Sequence, residues 1–186
     1  ILTILFGATY GSVNTFIAMM TSEVGIENAG LFFIVGTIFV FISRPFGGRI
    51  FDSKGGFWVI LPGGILYLIG LGILVSAQSL TVLLVASVFY GFGGGLLLPS
   101  LMTWMLNVVT PDRRSGASAT FYNMLDIGTS SGIILLGSVA GSIGYVNMYY
   151  YVIGVMVIFI AFFMFNHFVL QKKVKRIDSL MEKYYS

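Results

Sequence analysis

Of 186 residues, 57% are hydrophobic and only 9% are charged, about a third of the ~25% usual in soluble domains. Such a chain cannot cover itself for water, and it is far too apolar to be disordered. With no cysteine and a single histidine, His167, disulfides, thiolate metal sites and multi-histidine centres are excluded.

Charge is absent from 1–22, 28–43, 55–111 and 127–171. A helix needs ~20 mostly apolar residues to cross ~30 Å of hydrocarbon at about 1.5 Å per residue, so the two longest runs each hold two crossings. The runs are too long, and alternate too little, for the strands of a β-barrel. The expected fold is an all-α membrane protein of six transmembrane helices over 1–170, followed by a basic tail at 171–186. The first span covers about 1–21 and stops before Thr21-Ser22-Glu23. No charged region precedes it, so it is not a signal peptide in form; it reads as a helix entered part-way, in a chain that is a fragment. The second covers about 28–46 and ends at Arg44-Pro45, where proline and charge interrupt the apolar run. The third, about 57–76, closes at Ser76-Ala77-Gln78-Ser79. The fourth covers about 81–107, the fifth about 115–140 with Gly141–Gly144 as the turn, and the sixth about 147–170.

All ten basic residues fall in the second-to-third loop, the fourth-to-fifth loop or the tail, while the first loop carries Glu23 and Glu27. The positive-inside rule places the basic side, and hence the C-terminus, in the cytoplasm. The tail has a modest apolar stripe at Val174, Ile177, Met181 and Tyr184, which suits a solvated helix end or a contact with anionic lipid.

The most informative stretch runs from Arg44 through Gly48, Arg49 and Asp52 to Gly55. Gly48 permits close approach of a neighbouring helix, Asp52 suits the N-terminus of another helix, and Gly55 allows a turn with positive φ. The spacing Gly48-x-x-x-Asp52-x-x-Gly55, led in by Arg44-Pro45-Phe46, resembles the cytoplasmic loop signature of the major facilitator superfamily, in its weaker second copy between helices eight and nine. Ser53, Gly56 and Phe57 stand where that signature has basic residues. The loop Thr110–Gly116 and the glycine-rich stretch Tyr90–Gly95 with Pro99 are similar to the family's loop before helix eleven and to its helix ten. The resemblance covers the whole chain as helices seven to twelve of a twelve-helix fold, two inverted three-helix repeats, and Gly7-x-x-x-Gly11 can be laid over Gly91-x-x-x-Gly95. It implies that the first, second, fourth and fifth spans line a cavity and that the third and sixth, nearly all apolar, face lipid.

Asp126 is the only ionisable acid or base inside a span, about 16 Å from the basic end at helical rise. Tyr122 and Ser130 lie one turn to either side on the same face, with Asn123 beside them. A carboxylate at that depth must be paired or protonated, so Asp126 is expected either to bind and release a proton, or pair with a cationic substrate, or to form a structural pair with the missing half. Tyr10, Asn14, Tyr90, Met102, Thr103 and Trp104 are candidates for an adaptable cavity lining, against ordinary core packing. Tyr145 and Tyr149–Tyr151 read as an interfacial belt.

The implied function is secondary transport by alternating access, of the bacterial drug:proton antiporter type. It takes a proton gradient as its energy source and needs no cofactor or metal. The implied partners are the lipid bilayer of the cell membrane, the missing N-terminal six-helix half and a small-molecule substrate, without nucleic acid. Proton-coupled transport of a sugar or small metabolite is the alternative. A channel would want a filter segment that is not visible. The letters Gly128-Thr129-Ser130-Ser131-Gly132 resemble a serine-hydrolase elbow, but His167 lies too far along its span to serve Ser130.

Overall fold

The computed structural model describes the backbone of residues 1–185 and the side chains of residues 1–169, so the tail stripe at Val174, Ile177, Met181 and Tyr184 lies outside the described side chains. Hydrocarbon offers no partner for backbone N–H and C=O groups, so a crossing segment must satisfy them within itself. Among the described residues there is no strand, and six helices are long and apolar enough to span a membrane. They are α1 (Leu2–Glu23), α2 (Gly30–Lys54), α3 (Phe57–Val75), α4 (Leu80–Leu106), α5 (Arg114–Ile143) and α6 (Tyr145–Tyr185). The chain is an all-α, multi-pass membrane protein.

Three boundaries differ from the expected ones. α2 does not stop at Pro45 but runs on to Lys54. Proline deletes one intrahelical hydrogen bond, which a packed membrane helix tolerates; Pro62 and Pro99 likewise sit inside α3 and α4. The break comes at Gly55, whose φ of 87° only glycine adopts readily and whose N–H bonds to the Phe51 carbonyl at 2.8 Å. The turn expected over Gly141–Gly144 shrinks to Gly144 alone, also at φ 87°. α6 starts at Tyr145 and its helical span continues past residue 170 into the tail.

Packing follows a repeat. α1 lies along α5 and α4 along α2; further contacts join α1 to α6, α4 to α3 and α3 to α6. Exchanging α1 with α4, α2 with α5 and α3 with α6 returns this same set, as two inverted three-helix repeats require. The two closest joints are made by the glycine pairs that the repeat relates. At the first, a methyl group on Gly7 would lie 2.5 Å from the Leu125 carbonyl oxygen, and one on Gly11 would lie 3.0 Å from Thr129 Cα; in return Gly128 abuts Ile4 and Gly132 abuts Ala8. At the second, Gly91 abuts the Gly36 backbone and Gly95 abuts Val40 and Ser43. The interior between these joints is filled by Phe6, Tyr67, Leu71, Tyr149, Met156 and Phe159, all essentially without exposure.

At the end opposite the basic loops, the Tyr145 N–H donates to Glu23 Oε2 at 2.6 Å. A carboxylate thus meets the N-terminus of α6, where unpaired N–H groups favour an anion, and ties α1 to α6 across the Gly144 turn.

Valine in place of Gly128 or Gly91 is expected to cost more than about 1–3 kcal/mol, because backbone and not a movable side chain occupies the space. Gly141→Ala, where the site is open, should be neutral. Thermal unfolding of the detergent-solubilised protein separates the two cases. Glu23→Gln should lower the apparent melting temperature by a few degrees in the same assay.

Candidate functional site

The glycine joint fixes which way α5 faces. With Phe121, Gly128, Gly132 and Leu136 buried toward the bundle, Tyr122, Asn123, Asp126 and Ser130 are left exposed. Asp126 is two residues from Gly128, about 200° around the helix, and so is turned away from α1. Tyr122, one turn toward the basic end, donates its hydroxyl to Met102 Sδ of α4 at 3.7 Å. Asp126, Tyr122 and Met102 therefore border the open side between α4 and α5, with Asp126 about 18 Å along α5 from its start at Arg114.

A second polar group lies further toward the Glu23 end. Asn14 Nδ2 donates to the Tyr10 carbonyl of its own helix at 2.7 Å and to the Tyr90 hydroxyl of α4 at 3.2 Å. Tyr90 is buried, with its ring 4.7 Å from Tyr67 and 5.3 Å from Phe32. Tyr10 is half exposed and stacks on Phe6 at 5.9 Å. Tyr90 and Met102 are twelve positions apart on one helix, which sets the two groups about 18 Å apart; Asp126 is about 12 Å from the Asn14 level.

Other expected residues are placed differently. Trp104 faces α6 and not Tyr122, and lines a cleft of about 470 Å³ with Ile1, Leu101, Met105, Phe162 and Asn166. It is rotated about 200° from Met102, meets Phe163 of α6 edge-on at 5.6 Å and packs near Gly56. Thr103 lies in a cleft of about 250 Å³ between α2 and α4, together with Arg44, Gly47, Gly48, Phe51, Asp52, Pro99 and Ser100. In the loop signature, close approach belongs to Gly47, where a methyl would lie 3.0 Å from Leu96 Cδ2, while Gly48 is open; one helical step carries the neighbour off the contact face. Asp52 is exposed and caps no helix among the described residues, α3 starting at Phe57 behind Gly56 without a side-chain cap. Arg49 is likewise exposed, and Arg44 lies over the Phe41 ring at 5.3 Å. Of the tyrosine belt, Tyr150 and Tyr151 are exposed, but Tyr149 is fully buried and donates to the Val13 carbonyl at 3.4 Å. His167 stacks on Phe57 at 4.1 Å, at the basic end of α3, whereas Ser130 lies midway along α5.

Sequence reasoning missed Tyr67 and Glu23. The signal for Tyr67 was its being the lone tyrosine in an otherwise apolar third span. For Glu23, it was the separation of an acid at one helix end from a Gly-Tyr turn far along the chain, which spacing alone cannot join.

The sequence model of the Major Facilitator Superfamily matches residues 1–182. The chain is 28% identical over 139 residues to the proton-coupled antiporter flippase LtaA of Staphylococcus saprophyticus, covering 73% of this chain and 35% of that protein. It is 28% identical over 111 residues to multidrug resistance protein 3 of Bacillus subtilis, covering 60% and 22%. It is 26% identical over 166 residues to the staphylopine export protein of Staphylococcus aureus, covering 86% and 41%. It thus spans well under two thirds of the length of each. The crystal structure of an auto-inhibited POT family peptide transporter superposes with a TM-score of 0.75 at 16% identity, over 89% of this chain and 35% of that one; the two share a fold.

With Trp104 partly buried against Phe163 and Met102 bordering the open side, Trp104→Ala should lower stability by about 2–4 kcal/mol and Met102→Ala by less than about 1 kcal/mol. Comparable losses in thermal unfolding would contradict the assignment.

Proposed function

The chain belongs to the major facilitator superfamily, and we propose that it is the C-terminal half of a proton-coupled carrier that exports drugs or other small amphipathic molecules by alternating access. The observation that carries this reading is Asp126. It is an acid midway along a membrane helix, exposed on the face turned away from α1. It forms no ion pair or hydrogen bond among the described residues. A lipid-facing carboxylate would be costly; one facing a water-filled cavity can exchange a proton as that cavity opens to either side. The neighbouring Tyr122 and Met102 supply polarisable walls suited to varied apolar cargo.

The open faces suit a missing partner half. Ile34, Ile38 and Phe41 on α2 and Ile127, Ile134 and Leu135 on α5 are each at least half exposed. A second six-helix half would cover part of these faces and leave the substrate between the halves. With the basic loops in the cytoplasm, the Glu23 end faces outward and the protein sits in the cell membrane. The names of the relatives that describe proton coupling, drug resistance and export support the choice of coupling and cargo.

Asp126→Asn should remove transport driven by an imposed pH gradient in proteoliposomes, down to the rate of empty liposomes, while leaving melting temperature and expression unchanged. Asp126→Glu should retain part of the activity. A fully active Asn variant sinks the role assigned to Asp126.

A further inference from the structure

Beside the α2–α3 turn lies a cleft of about 440 Å³, lined chiefly by Lys54, Phe57, Trp58, Trp104 and His167. Its lining holds the Lys54 ammonium and no acid among the described residues. Asp52 belongs to the other cleft, between α2 and α4, about 200° around α2 from Lys54. Phe57 is held in place, stacked on His167 at 4.1 Å and on Phe163 at 5.9 Å. Trp58 meets Phe57 edge-on at 6.0 Å and is 58% exposed. The same two rings head a second recess of about 350 Å³, which continues along α3 through Leu61, Pro62, Ile65 and Leu66. These side chains are all apolar and form two adjacent rows at i, i+4 and i+8, hence one helix face. From Phe57 to Leu66 the recess descends about 14 Å at helical rise, one leaflet's share of ~30 Å of hydrocarbon. The 19 residues of α3 are about 28 Å long, so its Phe57 end lies where hydrocarbon gives way to headgroups. A cationic cleft at headgroup level thus opens onto an apolar groove one leaflet deep.

We propose that this compound site binds a phospholipid with an anionic headgroup, taken from the leaflet at the basic end. The phosphate accepts from the Lys54 ammonium, Trp58 stands at the level of the ester groups, where tryptophan is favoured, and one acyl chain lies over Pro62 between Trp58 and Ile65. A zwitterionic headgroup fits less well, because its own cation finds no acid in the cleft. A soluble anion would fill the cleft and leave the groove uncovered, whereas a lipid covers both. The site is formed by the α2–α3 turn and the ends of α4 and α6, away from Asp126, and does not depend on the carrier reading.

The test uses the complete protein in dioleoylphosphatidylcholine vesicles that contain a minor fraction of either phosphatidylglycerol or phosphatidylcholine with brominated acyl chains. A bound brominated chain quenches Trp58, and the difference in quenching between wild type and Trp58→Phe isolates that residue. Phosphatidylglycerol should associate about 5-fold more strongly than phosphatidylcholine, the size of one charge near the surface, and the preference should shrink at high salt. Lys54→Gln, at an exposed position, should make the two lipids equivalent. Arg114→Gln removes the same charge from an exposed position at the same membrane face outside the cleft and should keep the preference. Equal quenching by the two lipids in the wild type overturns the proposal, as does a preference that survives Lys54→Gln. Equal losses in the two charge variants also overturn it, since the preference then belongs to the whole surface. So does inorganic phosphate that abolishes the preference where sodium chloride of the same ionic strength does not, which assigns the cleft to a soluble anion.

Discussion

Helices in hydrocarbon gain nothing by hiding apolar side chains from one another, since lipid tails are equally apolar; association depends on how closely backbones approach. Here that approach is made at two repeat-related glycine joints, Gly7 and Gly11 against Gly128 and Gly132, and Gly91 and Gly95 against Gly36 and Val40, and at a third between α3 and α4, where Gly70 abuts Tyr90 and Gly93 abuts Tyr67. The joints also set rotation. Once Gly128 and Gly132 face α1, the 100° step of the helix sends Asp126 to the opposite side and leaves Tyr122 against α4. The carboxylate that carries the proposed mechanism therefore points where it does because of two residues that have no side chain.

The repeat-related joints divide the helices into two kinds. α1 and α4 are each clasped by a glycine contact on one flank and by α6 or α3 on the other, so they are more buried than α2 and α5, with Tyr10, Thr15 and Met19 on α1 and Val85, Pro99 and Thr103 on α4 among the residues left exposed. α2 and α5 dock mainly along one flank, with lesser contacts of α2 to α3 and of α5 to α6 and α4, and carry long apolar faces outward. In the proposed carrier α1 and α4 supply Tyr10, Asn14 and Met102, α5 adds Asp126 and Tyr122, and the apolar faces of α2 and α5 meet the other half.

Charge was the legible part of this chain. Its scarcity identified spans, its sign identified the loops, and its single exception identified Asp126. Helix rotation was not legible, because the helices are apolar on nearly every side and periodicity then carries no information about which face is buried. Gly47 and Gly48, adjacent in the same motif, could be told apart only by where Leu96 lies. Trp104 and Met102 looked alike as large residues near a cavity, yet one packs on Phe163 and the other meets Tyr122. Tyr149 looked interfacial in the company of Tyr150 and Tyr151 and is instead in the core. Pro45 looked like a terminus because proline ends helices in water; in a packed membrane helix the lost bond is not enough to stop the chain.

The interlocking of the repeats bears on what can move. α1 belongs to the first repeat but docks on α5 of the second, and α4 of the second docks on α2 of the first. Neither three-helix unit can separate from the other without parting all three glycine joints and breaking the Thr129 hydrogen bond to the Gly7 carbonyl at 3.3 Å. Between α1 and α4 themselves the one hydrogen bond among the described residues is Asn14 to Tyr90. A motion that changes access to the cavity therefore leaves this interlocked unit whole: the six helices tilt as one body against whatever covers α2 and α5, a large displacement across an apolar surface.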